Sequence, residues 1–229
     1  MTTRYMSTPF SFTTSLVAGV LLAGFLFLTA CDSITDFDKI NENPNDPTQV
    51  SSSQQIAGLL ANFSYQVAGN EAVRTPSLWM QQASQNFDPP NEDSYQYTET
   101  EPNNLWEFWL YSGALPDAQN VQEAARAEEN FGNVGIGQVM EAWSWMITAD
   151  LFGDIPVEEA FRQDITNPAY SDQQVAYDSV FVLLEQARQN LAQGNAAPLG
   201  GSDLLYGGDL EKWTSLAWAL EAKAHIHLT

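Results

Sequence analysis

Cys31 is the one cysteine of the chain, and its neighbours assign its thiol a definite chemistry. Leu28-Thr29-Ala30-Cys31 follows the uncharged run Leu16–Leu28, and Arg4 supplies a positive charge ahead of that run. This order is the layout of an export leader cut before an acylated cysteine. A membrane-spanning helix needs about 20 apolar residues, so the transmembrane reading is the weaker one. Each buried methylene contributes about 0.8 kcal/mol and lasting attachment takes two signals, so a multiply acylated Cys31 would hold the chain on a membrane permanently. Other residue types that can do chemistry are not spaced to do it. Glu158 and Glu159 are adjacent on one element and cannot flank a glycosidic bond as paired carboxylates must. Gly132, Gly135 and Gly137 have no lysine beside them and match no phosphate loop. His225 and His227 lie two apart on a predicted helix, about 200° around its axis, and cannot close on one metal ion. These residues give no expectation of catalysis, of a metal or of a cofactor.

Charge narrows the partners. The 229 residues carry 8 basic and 29 acidic side chains, a net charge of −21, and loss of residues 1–30 removes Arg4 and no acid. Nucleic acid is excluded as a partner because counterion release needs a basic face. Attraction to anionic headgroups is equally disfavoured, which leaves anchoring to the lipid. Once Cys31 is acylated no thiol remains for a disulfide, so packing must supply the stability. A hydrophobic content of 44%, with seven Trp, eight Tyr and twelve Phe, is enough for a sizeable core.

The elements that must position any site read as helices. Residues 31–50 form a spacer rich in Asn, Asp and Pro, with turn signals at Asn43-Pro44 and Asp46-Pro47. From residue 51 onward apolar residues recur at spacings of three and four, as in Ile136, Met140, Trp143, Ile147 and Leu151. The pattern predicts six helices, over about 52–68, 75–86, 103–129 with a break near Pro116, 133–152, 172–193 and 209–229. Ser52 with Gln55, and Ser171 with Gln174, read as capping boxes. Antiparallel helices of this length, joined by Gly, Pro and Asp loops, suggest stacked pairs like tetratricopeptide repeats, although the repeat consensus is not met. The fold class is therefore all-α, in three parts: leader 1–30, tether 31–50 and helical domain 51–229. The last predicted helix meets no glycine or proline, as though the chain were cut inside a domain.

Three stretches in order resemble the SusD/RagB outer-membrane lipoproteins: Asp36-Phe37-Asp38-Lys39-Ile40-Asn41-Glu42-Asn43-Pro44-Asn45, Ala149–Pro156 with Glu159-Ala160, and Leu205–Trp213. The resemblance spans the mature chain but only the amino-terminal half of such proteins. It implies a truncated tetratricopeptide-like scaffold, lipid-anchored in the outer membrane and facing the cell exterior. It also implies a partner, a SusC-like TonB-dependent transporter, over which the protein acts as a lid delivering an oligosaccharide or a peptide. The alternative is a periplasmic helical-repeat lipoprotein that binds protein partners. Within the motifs, Gly153 closes a helix, Asp154 can bond free backbone donors and Asp209 caps the last helix, so their roles read as architectural.

Sugar recognition needs flat aromatic faces together with amide or carboxylate groups, and the segment from Phe87 to Tyr111 holds that mixture. Tyr95 and Tyr97 lie in a polar loop, where packing gives less reason to keep an aromatic. Trp106 belongs to a helical pattern, where aromatics more often serve the core. These three are the candidate ligand-binding residues, beside Cys31 as the lipidation site. Arg74 and Arg126 are expected to pair with Glu71 and Glu123 rather than to clamp a ligand.

Overall fold

The computed structural model describes residues 50–84, 86, 91–96, 98, 102–194 and 200–229. Cys31, the expected leader, the expected tether up to residue 49 and Tyr97 lie outside the described residues. Val50–Thr229 packs as one unit.

Its centre is set by the one segment that is apolar on every side. Helix α4, Phe131–Phe152, is buried along most of its length, as a helix without a polar face must be. The helix before it, α3 (Leu115–Ala127), and the two after it, α5 (Gln173–Gln193) and α6 (Leu210–His227), pack against it, and α5 and α6 also pack against each other. The glycines of α4 are its packing notches. A Cβ on Gly135 would lie 2.6 Å from Leu191 Cγ of α5, and one on Gly137 would lie 2.7 Å from Gln122 Cγ of α3. Residues early in α4 thus meet residues late in α3 and α5, so neighbouring helices run antiparallel. Two buried polar side chains of α4 are met by those neighbours: Gln119 and Gln122 donate to Glu141 (2.8 and 2.6 Å), and Asn190 donates to Gln138 Oε1 (2.8 Å).

The amino-terminal region departs from expectation. The predicted helices 52–68 and 75–86 are one run: α1 (Ser52–Asn62), a π-wound segment Phe63–Glu71, and α2 (Ala72–Trp79). The predicted break near Pro116 is also absent. A second π-wound segment, Asn104–Ala114, passes directly into α3, with Pro116 in its first turn, where a missing N–H is harmless. Both segments exceed the single-turn bulges in which this winding usually occurs. Each contains a glycine facing the carbonyl five residues back: a Cβ on Gly69 would meet Ser64 O at 2.6 Å, and one on Gly113 would meet Phe108 O at 2.8 Å. Gly69, at the end of the first predicted helix, gives the continuing helix room at the Ser64 carbonyl.

Capping is corrected too. Ser51, not Ser52, caps α1, in a box with Gln54. Ser52 is fully buried and engaged elsewhere: its backbone N–H and its hydroxyl both donate to the Glu128 carboxylate, and Asn133 Nδ2 donates to its oxygen at 2.7 Å. Ser171 makes no capping box: Asp172 holds the N-cap position of α5, and Ser171 lies one residue earlier, its backbone paired with Ile155 in an isolated bridge. The first N–H of α5 is met instead by Asp154, whose Oδ1 accepts from Gln173 N at 2.9 Å. Gln173 returns its side-chain amide to Ala149 O near the end of α4 at 2.8 Å. Asp209 caps α6 as expected, accepting from Glu211 N and Lys212 N. The expected partners of the two arginines are replaced: Arg74 faces Glu92 at 3.8 Å, and Arg126 donates to Gln122 Oε1 at 3.0 Å. Among the described residues no helix is long and apolar enough to cross a membrane.

Candidate aromatic binding site

Trp106 sits on the second π-wound segment, and the winding decides what it meets. In an α-helix residues five apart point about 140° away from each other. The i→i+5 winding instead brings Trp106 and Tyr111 onto one face, with ring centroids 4.6 Å apart. Phe152, the last residue of α4, meets Trp106 edge-on at 4.9 Å and 77°. Tyr111 in turn meets Trp145 of α4 at 6.1 Å, so the cluster is rooted in the core.

The connection between α4 and α5 folds back over this cluster. Gly153 takes a positive φ of 75°, and Ile155 and Ser171 exchange two backbone hydrogen bonds of 3.1 and 2.9 Å that close the loop at its base. Tyr111 fastens the loop by donating from its hydroxyl to Pro156 O at 2.8 Å. Burial first, and then the Tyr170 phenol, pushes the Tyr111 hydroxyl well above the usual tyrosine range, so it remains a donor. Glu159 accepts from Ala169 N at 2.7 Å inside the loop, which gives this carboxylate a structural role. Held this way, Phe161 lies 5.9 Å from Tyr111, and Tyr170 lies parallel to Trp106, 10° between planes and 6.2 Å between centroids. Tyr170 is 66% exposed, although loops more readily keep polar residues at such positions.

Beside the cluster is an apolar recess of about 150 Å³. Phe152 belongs to both, and Trp79, Pro76, Leu105 and Leu151 form the other apolar walls, with Thr75 and Glu71 as the ionisable or hydroxylic lining residues. A polar recess of about 470 Å³ lies elsewhere, between α3 and α4, around Gln119, Glu123, Arg126 and Glu141.

Of the sequence candidates, Trp106 is at the heart of the aromatic cluster. Tyr95 is 64% exposed and has a positive φ of 56°, but among the described residues no ring contact joins it to Trp106. Phe152, Phe161 and Tyr170 were not singled out as site residues, since nothing in their own spacing announces that a closed loop returns them to Trp106. Both histidines pack on α5, and His227 has a task. Its Nδ1 lies 2.9 Å from Asp150 Oδ1, and Tyr177 donates its hydroxyl to the same oxygen, tying the ends of α4, α5 and α6. His225 packs on Phe181. Among the described residues no group of three or more His, Cys, Asp or Glu is placed to hold a metal ion. The chemistry available at the cluster is noncovalent: electron-rich ring faces that attract the polarised C–H bonds of a ligand.

Comparisons with known proteins agree on the scaffold. Residues 44–229 match the SusD-like family described as starch-binding associating with outer membrane. Among solved structures, the chain is similar to a SusD/RagB family protein from Bacteroides thetaiotaomicron, with 24% identity and a TM-score of 0.69 over 79% of this chain and 39% of that one. A SusD homologue from Bacteroides fragilis aligns with 21% identity and a TM-score of 0.62 over 78% and 36% of the two chains. A chitin-binding SusD homologue from Flavobacterium johnsoniae aligns with 18% identity and a TM-score of 0.58 over 74% and 38%. The chain thus spans less than two-fifths of the length of these structures. Among curated proteins none matches. With the match covering most of its length and the all-α, tetratricopeptide-like architecture shared, the chain belongs to the SusD-like family of outer-membrane-associated nutrient-binding proteins.

Proposed function

We propose that the protein captures an oligosaccharide on the Trp106–Tyr170 face and, as a lid, passes it to a SusC-like TonB-dependent transporter in the outer membrane. Leader 1–30 is removed, Cys31 carries the lipid, residues 31–50 form the tether, and the helical domain from residue 51 faces the cell exterior. No bond is made or broken by this chain. The observation that carries the reading is Tyr170: a largely exposed ring held parallel to Trp106 by a loop whose closure consumes a series of hydrogen bonds. An exposed apolar face adds little to folding, and flat faces are what sugar rings stack on.

The experiment uses the intact gene product. Glycan-array binding is followed by titration of the best saccharide against wild type, Tyr170→Ala and Trp106→Ala. Stacking on one ring is worth about 0.5–1.5 kcal/mol, so Tyr170→Ala should weaken binding by up to about tenfold with an unchanged melting temperature. Undiminished affinity in both variants would remove this face from the proposal. For the anchor, Cys31→Ser should release the protein from the membrane fraction. Protease shaving of intact cells and co-purification of a large β-barrel transporter test the location. Protection in intact cells, with soluble partners only, would favour the periplasmic adaptor.

A further inference from the structure

The recess beside the aromatic cluster has a chemistry of its own. Its apolar walls come from α2, the second π-wound segment and the end of α4, and at about 150 Å³ it is the size of cavity that takes up a small hydrophobic group. Two features limit what fills it. Phe152 is at once a wall of the recess and an edge-on neighbour of Trp106 at 4.9 Å, and Leu105 adjoins Trp106 in sequence. The recess thus adjoins the aromatic cluster through Phe152, next to any ligand held at the cluster's exposed edge. Thr75 brings a hydroxyl donor and Glu71 a carboxylate acceptor to an otherwise apolar lining. A methyl group joined to a secondary amide matches that lining: the methyl meets apolar walls, the carbonyl accepts from Thr75 and the N–H donates to Glu71.

Resting on the sugar-binding reading above, we infer that this recess is a specificity subsite for the acyl substituent of an N-acetylated saccharide. The size of the recess excludes long acyl chains, and its apolar walls disfavour a bare hydroxyl at the same position. Discrimination therefore resides in Thr75, Glu71 and the Trp79–Phe152 walls, whereas Trp106 and Tyr170 hold any sugar ring regardless of its substituents.

The test compares two ligands with the same β-1,4 backbone, chitotetraose and cellotetraose, by calorimetric titration of the intact gene product. One buried methyl and one net hydrogen bond correspond to about a tenfold preference for chitotetraose. Ala72 also lines the recess, so Ala72→Leu, which adds bulk there, and Thr75→Val, which keeps the shape and removes the hydroxyl, should each reduce chitotetraose affinity towards that for cellotetraose and leave cellotetraose unchanged. Thr75→Val alone decides the matter if Ala72→Leu does not fold. Equal wild-type affinities, or a preference that survives both variants, would overturn the subsite and leave the sugar-binding face standing. Failure to bind either ligand also overturns it. The broader reading then stands or falls separately, on whether another saccharide binds and is lost with Tyr170→Ala.

Discussion

Replacing Asp203 with alanine strips four donors of their acceptor at once. The residue is only 4% exposed. Its Oδ1 accepts from Leu205 N and Tyr206 N, both at 3.0 Å, and its Oδ2 accepts from Gly208 N and Trp213 Nε1, both at 2.8 Å. The turn around Leu204 and Leu205 is exposed, so its backbone donors can return to water, but Trp213 is fully buried and its indole N–H cannot. An unmet buried donor costs about 1–3 kcal/mol, and a lost bond to a charged acceptor about 1.5–3 kcal/mol. Together these place Asp203→Ala near 3–4 kcal/mol, a large share of the roughly 5–15 kcal/mol by which domains are stable. Asp203→Asn should cost nearly as much, because its amide nitrogen must face donors. Burial by itself would raise the carboxyl of Asp203, but the Trp213 bond and the backbone bonds from Tyr206, Gly208 and Leu205 reverse this and hold it below the usual range. A depressed native value means that the contribution is complete above the unfolded value of about 3.9 and is lost as pH falls through the native one. Urea unfolding followed by tryptophan emission should therefore show a wide gap between wild type and Asp203→Asn at pH 7 that closes below about pH 4. An alanine variant within about 0.5 kcal/mol of wild type, or a gap indifferent to pH, would refute this account of the turn.

Three further outcomes are expected. Glycine to alanine within a helix ordinarily stabilises by about 0.5–1 kcal/mol. Gly58→Ala, with nothing within 4 Å of the new Cβ, should do so, whereas Gly135→Ala, pressed on Leu191 Cγ at 2.6 Å and Ala187 O at 3.0 Å, should lose about 1–3 kcal/mol in thermal melts. The same sign in both would contradict the packing described for α4 and α5. Burial, and for Tyr177 also its bond to Asp150, pushes the phenols of Tyr111 and Tyr177 upward. Their contribution is complete below about pH 10 and is lost as pH rises through the native values. Tyrosinate absorbance of the folded chain should accordingly lag that of the denatured chain by two groups, and coincident curves would count against it. With a net charge of −21, self-repulsion should be relieved when the screening length falls from about 10 Å at 0.1 M salt to about 3 Å at 1 M, raising the melting temperature by a few degrees. A salt-independent melt would mean that the charges are already too dispersed to matter.

What was legible in the sequence follows the reach of each signal. Helices 131–152, 173–193 and 210–227 are read to within about two residues, because each buries a stripe through its own periodicity and the Asp209 cap is local. The amino-terminal third is misread for one reason. Gly69 and Pro116 are breakers in an α-helix, but in a wider winding the first gives room to the Ser64 carbonyl and the second falls where its N–H is not needed. Capping boxes depend on which of two adjacent serines is free, and Ser52 is withdrawn by Glu128 and Asn133, which are more than 75 residues away. No local pattern carries that information.

The site shows the same division and ties architecture to binding. Trp106 was visible because it stands in an aromatic-rich stretch, yet a single ring in a helix is indistinguishable from core. What turns it into a face is Tyr170, and Tyr170 is brought there by the positive φ of Gly153, the Ile155–Ser171 bridge, the Asp154–Gln173–Ala149 exchange and the Tyr111 bond to Pro156. These are mostly residues of the Ala149–Pro156 motif and its partners, none of which needs to touch a ligand. Loosening any of them leaves every aromatic side chain in the protein and removes only the parallel alignment of two rings. Asp154→Ala should therefore weaken binding at the Trp106–Tyr170 face without altering a single contact residue. If the Trp106–Tyr170 face binds as proposed, a motif that is architectural in its chemistry is still required for binding, because the loop it closes is what aims the exposed ring.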